Sequence, residues 1–189
     1  MIDYKFIAEL EGSSRVGYVP DPENSNSGVT IACGFDIGCR SLIDLKLLFN
    51  DDIVKKLGIY CRYTGKEAVE FLSENPLEIT KGDEIKINKT VHKAMSRNLV
   101  HSAWFYADPY ENFHDLSDEC QTVVASVAFQ YGSLEVATPN FWRQVTTGDW
   151  LAALENLRDF GDRYPTRRNK EADLLERSPE IQSMQLLID

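Results

Sequence analysis

The sequence predicts an α+β fold, mainly α, with a small N-terminal β-hairpin lobe and a larger helical lobe. Two observations carry this. Residues 15 to 38 hold no helical period, and two β-branched runs there flank PDPENSNSG, which is turn material throughout. Before and after that stretch, apolar residues recur at helical spacing.

The elements follow in order. Ile2, Phe6 and Leu10, with Ile7 beside them, form one apolar stripe and predict a helix over 3–11 that Gly12 stops. Val16, Tyr18 and Val19 suggest one strand and VTIACGF (29–35) a second, giving a hairpin over 15–37 and a β lobe of about residues 12 to 40. Leu42, Leu45, Leu48 and Phe49 mark the next helix. Thr64-Gly65-Lys66-Glu67 reads as a capping box ahead of AVEFL. A longer helical stretch, broken once, covers about 80–106. In DLSDECQTVVASVAFQYG, Ser117 is the expected N-cap, Asp118 and Glu119 suit the positive end of the dipole, and Gly132 is the expected stop. Further helices fit 138–146, 149–160 and 165–177, and the last starts at Pro179 behind Ser178. Six to eight helices therefore follow the hairpin. A groove between two such lobes is a natural seat for a polymer.

Composition sets limits on function. The chain has 189 residues, 43% of them hydrophobic, enough for one domain with a real core. The formal net charge of −10 argues against a nucleic-acid partner. No apolar run suits a membrane span. MIDYKFIAELEG lacks the basic start and apolar core of a secretory signal, so export by another route is expected. The spacing of Cys33, Cys39, Cys61 and Cys120 fits no zinc pattern, and neither a metal nor another cofactor is expected. Buried free thiols are the plainer reading; a Cys33–Cys39 disulfide needs an oxidising compartment.

The sequence has no HExxH, P-loop, GxGxxG after a strand or GxSxG elbow. Carboxylate chemistry remains. Glu11 ends the first helix and Asp36 ends the second strand, with Thr30 between them. A hairpin brings its two ends together, and an Asp/Glu pair flanking a glycosidic bond is the equipment of glycoside hydrolysis. With 30 acidic residues other pairs are available, and Glu9 competes with Glu11 on periodicity alone.

ELEG (9–12), GYVP (17–20) and SGVTIACGFDIG (27–38) together resemble the pesticin-like lysozyme domains, muramidases of the phage-lysozyme type found in bacteriocins, antibacterial effectors and endolysins. SVAFQYG (126–132), TGDWLAALENLRDF (147–160) and YPTRRNKEADLLE (164–176) resemble the helices of those proteins more weakly. The resemblance implies a phage-type lysozyme-like fold whose two lobes are joined by a helix within 80–95. It implies a catalytic set of Glu11, Thr30 and Asp36, and cleavage between N-acetylmuramic acid and N-acetylglucosamine. Glu11 would be the acid, Asp36 the base or electrostatic partner, and Thr30 the holder of the attacking water. Inversion would place the carboxyl groups about 6.5–9.5 Å apart.

Tyr18, Gly34, Phe35, Phe129, Tyr131 and Arg167 are candidate substrate contacts. The aromatic rings are alternatively core, and Arg167 is alternatively paired with acidic neighbours. Gly28, Gly34 and Gly38 serve either backbone turns or close approach of a sugar chain. The implied partners are peptidoglycan strands and, for a toxin, a cognate immunity protein; a monomer is expected. Without receptor-binding or translocation segments, the chain reads as a catalytic module or a fragment, made in the cytoplasm and carried to the wall by a pore or secretion system. An inactive binding module, a lytic transglycosylase and a chitinase are the alternatives.

Overall fold

Glu11, Thr30 and Asp36 all fall in a segment, 11–93, that packs on itself; residues 1–10 with 94–189 make a second compact unit. The computed structural model describes residues 1–186. The fold is α+β and mainly helical, with one small antiparallel sheet, as expected.

The helix α1, Tyr4–Glu11, ends at Gly12, whose φ of +70° is the left-handed stop that glycine allows. The sheet then departs from the expected hairpin. It has three strands in the order β1 (Ser14–Tyr18), β2 (Thr30–Ala32) and β3 (Phe35–Asp36). The run VTIACGF is not one strand. It folds back at Cys33-Gly34, with Ala32 at φ +56° and Gly34 at φ +88°. β1 pairs with β2 through Ser14 opposite Ala32 and Tyr18 opposite Thr30, with a bulge between. The outer edge of β1 is covered, since Gly17 N–H donates to Leu77 O at 2.8 Å and Ile79 N–H to Arg15 O at 2.9 Å.

The sheet does not stand alone as a lobe of 12–40. Val29, Ile31, Phe35 and Ile37 share one buried cluster with Leu45, Ile53, Leu57 and Ile87. These come from α2 (Leu42–Leu48), α3 (Asp51–Leu57) and α5 (Lys81–Asn98). A 3-10 turn, Gly58–Tyr60, and α4, Gly65–Glu74, complete this unit. The expected Thr64 capping box is not made: Thr64 gives α4 no side-chain cap bond, and its backbone instead bridges to Gly28. The boundary between the units crosses the chain twice, at the last residue of α1 and within α5. The break expected in the 80–106 helix is a π-helical segment, Leu99–Trp104.

In the second unit, α6, Asp118–Tyr131, is capped by the Ser117 side chain and stopped by Gly132 at φ +74°, as the sequence indicated. It is buried over most of its length. α7 (Leu134–Ala137) and α10 (Pro165–Leu175) pack on it, α8 (Pro139–Thr146) packs between α7 and α9 (Trp150–Arg158), and α9 packs on α10 and on α11 (Pro179–Gln185). With α3 and α7 added, ten α-helices follow the sheet among the described residues, more than the six to eight expected. No described helix is long and apolar enough to cross a membrane.

Candidate active site

Thr30 and Asp36 are register partners across β2 and β3. The turn at Cys33-Gly34 is what brings them together, because a continuous strand would hold residues six apart about 20 Å from each other. Both side chains bond to one residue. Gly28 N–H donates to both Asp36 carboxylate oxygens, at 3.2 and 3.1 Å, and Gly28 C=O accepts from the Thr30 hydroxyl at 3.0 Å. Cys39 N–H adds a second donor to Asp36 Oδ1 at 3.0 Å. The carboxylate is therefore oriented by backbone amides, and Oδ2 keeps acceptor capacity. The Thr30 hydroxyl spends its proton on Gly28, leaving its lone pairs to accept. Thr30 is only 2% exposed.

Gly28 is required by packing. A Cβ there would lie 2.3 Å from Gly38 Cα and 2.6 Å from Tyr63 O. A Cβ on Gly38 would lie 2.1 Å from the same carbonyl. These two glycines serve backbone-to-backbone contact, not a sugar chain. Gly34 differs: it is exposed, has positive φ, and an added Cβ would meet nothing within 4 Å.

Glu11 closes α1, with one carboxyl oxygen, Oε1, buried. Its charge is felt at the β2–β3 turn. Burial pushes the Cys33 thiol up to about 11, and the Glu11 charge adds to the shift. Tyr18 is raised by burial first, then by Cys33 and Glu11. Glu11, Tyr18 and the Cys33 turn thus form one electrostatic neighbourhood. Glu9, the sequence competitor, is exposed.

The other candidates divide. Tyr18 is 40% exposed, beside that neighbourhood. Phe35, expected as a sugar-stacking ring, is a correction: it is 2% exposed, edge-on to Phe49 and covered by Arg40. Strand alternation turns it inward while Asp36 turns out. Phe129, Tyr131 and Arg167 belong to the second unit. Phe129 lines a cavity of about 470 Å3 with Leu99 and Trp142, which none of the three catalytic candidates lines. Tyr131 donates to Asp162 at 2.7 Å and lies under Arg168. Arg167 pairs with Glu171 at 3.0 Å and donates to Ser126 O at 2.8 Å, matching the acidic-neighbour reading. Arg168, 1% exposed, is held by Asp162, Glu171 and Gln130.

All four cysteines are free thiols. The Cys33–Cys39 pairing is not formed; Cys33 is buried and Cys39 is exposed with its thiol toward Asn26 O at 3.6 Å. Sequence reasoning missed the link through Gly28, the Cys39 amide, and Asn88, which bonds the Cys33 amide at 3.0 Å. An i, i+4 pair of polar residues, Glu84 and Asn88, on the long predicted helix was the available signal for the last.

Glycoside hydrolysis uses a pair of Asp/Glu side chains, and Glu11 and Asp36 fall in the same compact unit. Residues 1–151 match the family model for pesticin, described as the bacterial toxin homologue of phage lysozyme, C-terminal. The chain belongs to that family. At the level of the family this supports a muramidase-type peptidoglycan hydrolase. The match takes in the whole sheet-bearing unit and ends at the start of α9. A search of curated proteins returned no match.

Proposed function

We propose that the chain is an N-acetylmuramidase that cuts peptidoglycan between N-acetylmuramic acid and N-acetylglucosamine with inversion. The observation that carries this reading is the pairing of Thr30 with Asp36 on the backbone of Gly28, beside a turn that feels the Glu11 charge. Glu11 donates its proton to the glycosidic oxygen as the bond to the anomeric carbon breaks. A water attacks that carbon from the opposite face. Thr30 accepts a hydrogen bond from the water, since its own proton is held by Gly28. Asp36 takes the other water proton on Oδ2, the oxygen with spare acceptor capacity. The products are a muramic acid reducing end and a free glucosamine 4-hydroxyl.

The reaction needs no cofactor. The substrate is the glycan strand, and Tyr18, half-exposed next to Glu11's field, is the surface ring placed to pack on it. The whole chain acts as one catalytic domain and as a monomer, on a wall it reaches by a pore or secretion system; a toxin of this kind is matched by an immunity protein.

Mass spectrometry of fragments from purified peptidoglycan tests the reaction class. Hydrolysis gives reducing muramic acid ends. Anhydro-muramic ends would assign a transglycosylase instead, and no release would assign a binding module.

A further inference from the structure

We propose that Asn88 is a positioning residue that fixes Glu11 against the Thr30–Asp36 pair; this rests on the catalytic reading above. Asn88 bonds to both segments that carry the site. Its Oδ1 accepts from Cys33 N–H at 3.0 Å, at the centre of the β2–β3 turn. Its Nδ2 donates to Ser13 Oγ at 3.3 Å, two residues past Glu11. The chain of bonds runs on in one direction. Ser13 gives its proton to Glu84 Oε1, and Lys81 pairs with Glu84 Oε2 at 2.9 Å. Glu84 and Asn88 lie four residues apart on α5, so one helical face presents both.

Each segment needs the anchor. The turn holds Ala32 at φ +56°, a conformation that costs an L-residue about 1–2 kcal/mol and persists only where its surroundings fix it. The Asn88 bond falls on the very next amide. On the other side, Gly12 has positive φ and an added Cβ would meet nothing within 4 Å, so nothing packs on the link at that point. Ser13, the next residue, bonds the link to α5. Its hydroxyl gives its one proton to Glu84, which is 4% exposed and held as a carboxylate by Ser13 first and Lys81 second. The Ser13 lone pairs are then left for Asn88. A single amide side chain thus ties the helix-end acid to the turn that aligns the water-handling pair.

The test compares kcat and KM on soluble, uncrosslinked glycan strands for wild type, Asn88→Ala, Ser13→Ala, the double variant and Glu11→Gln. Thr80→Ala serves as the stability reference, because the Thr80 hydroxyl bonds Asp83 at the start of the same helix, and neither of these two bonds involves Ser13 or the Cys33 turn. Rates are corrected for folded fraction. Misplacement of catalytic groups by about 1 Å costs up to roughly 100-fold. Asn88→Ala is therefore expected to lower kcat about 10- to 100-fold with KM nearly unchanged, and the double variant to be no slower than Asn88→Ala. Thr80→Ala keeps wild-type kcat. An Asn88→Ala kcat equal to that of Thr80→Ala, with Glu11→Gln inactive, overturns the positioning role and leaves the catalytic reading standing. Full activity in Glu11→Gln overturns the catalytic reading itself, and the role of Asn88 with it.

Discussion

Thr30 and Asp36 face each other across β2 and β3, and the Gly28 residue bonds to both: its N–H to the Asp36 carboxylate, its C=O to the Thr30 hydroxyl. The pair is thus locked to one piece of backbone. A hydroxyl with its proton committed and a carboxylate with one oxygen more lightly bonded are complementary as acceptors for a single water.

That relation separates two substitutions at position 30. Thr30→Ala removes the acceptor and is expected to lower the hydrolysis rate about 100-fold, within the range a positioned proton-handling group contributes. Thr30→Ser keeps the hydroxyl and the bond to Gly28 and is expected to stay within about tenfold of wild type. Initial rates of reducing-end release check both; equal losses would show that the methyl packing, not the hydroxyl, matters.

Gly28 and Gly34 are expected to respond to a methyl group for different reasons, Gly28 the more severely. Gly28→Ala drives a Cβ into Gly38 Cα at 2.3 Å and Tyr63 O at 2.6 Å, both backbone and unable to move aside. The expected loss is at least about 1–3 kcal/mol, with loss of activity through Thr30 and Asp36. Gly34→Ala meets open space and pays only for its φ of +88°, a loss of about 1–2 kcal/mol. Urea unfolding of the two variants measures the difference.

Acid is expected to unfold the protein through α5. The Lys56 bond first, then Thr80, holds Asp83 below the usual carboxylate range; Ser13, then Lys81, does the same for Glu84. Depressed folded values mean that the unfolded chain binds protons first as pH falls. The stabilisation is therefore full above the unfolded value of about 4 and is lost as pH drops through the lower folded values. Asp83→Asn should melt below wild type at pH 7, and the gap between the two should narrow as pH falls below the unfolded value of about 4. A constant gap across that range would contradict the linkage.

Thiol reactivity should sort by burial. Cys33 and Cys120 are buried and pushed up to about 11 and about 12, first by desolvation. Both are expected to resist alkylation in the native state at pH 7. Cys39 is exposed, so it should label first despite a raised value caused by burial and then by Asp36. Peptide mapping after brief maleimide treatment checks the order.

Local rules were readable and long-range ones were not. Ser117, Gly132, Ser178 and Gly12 mark helix ends by their own chemistry, and the structure uses each that way. Asn50, Asp51 and Asp52 ahead of Lys55 and Lys56 carried the same kind of signal for α3 and could have been read; the Asn50 side chain caps Ile53 N–H. The fold-back inside VTIACGF was not readable, because it puts Ala32, a residue with a Cβ, at positive φ, which only the surrounding contacts enforce. Thr64 looked like a cap but its backbone is recruited by Gly28, thirty-six positions earlier in the chain. The glycines of SGVTIACGFDIG signalled a special backbone. That two of them press on each other and on Tyr63 O is a tertiary fact.

The most direct test of the account is Glu11→Gln on purified peptidoglycan, with melting temperature measured on the same samples. The account predicts loss of lytic activity by at least about 100-fold, with the variant melting close to wild type. Full lysis by a folded Glu11→Gln protein would contradict it.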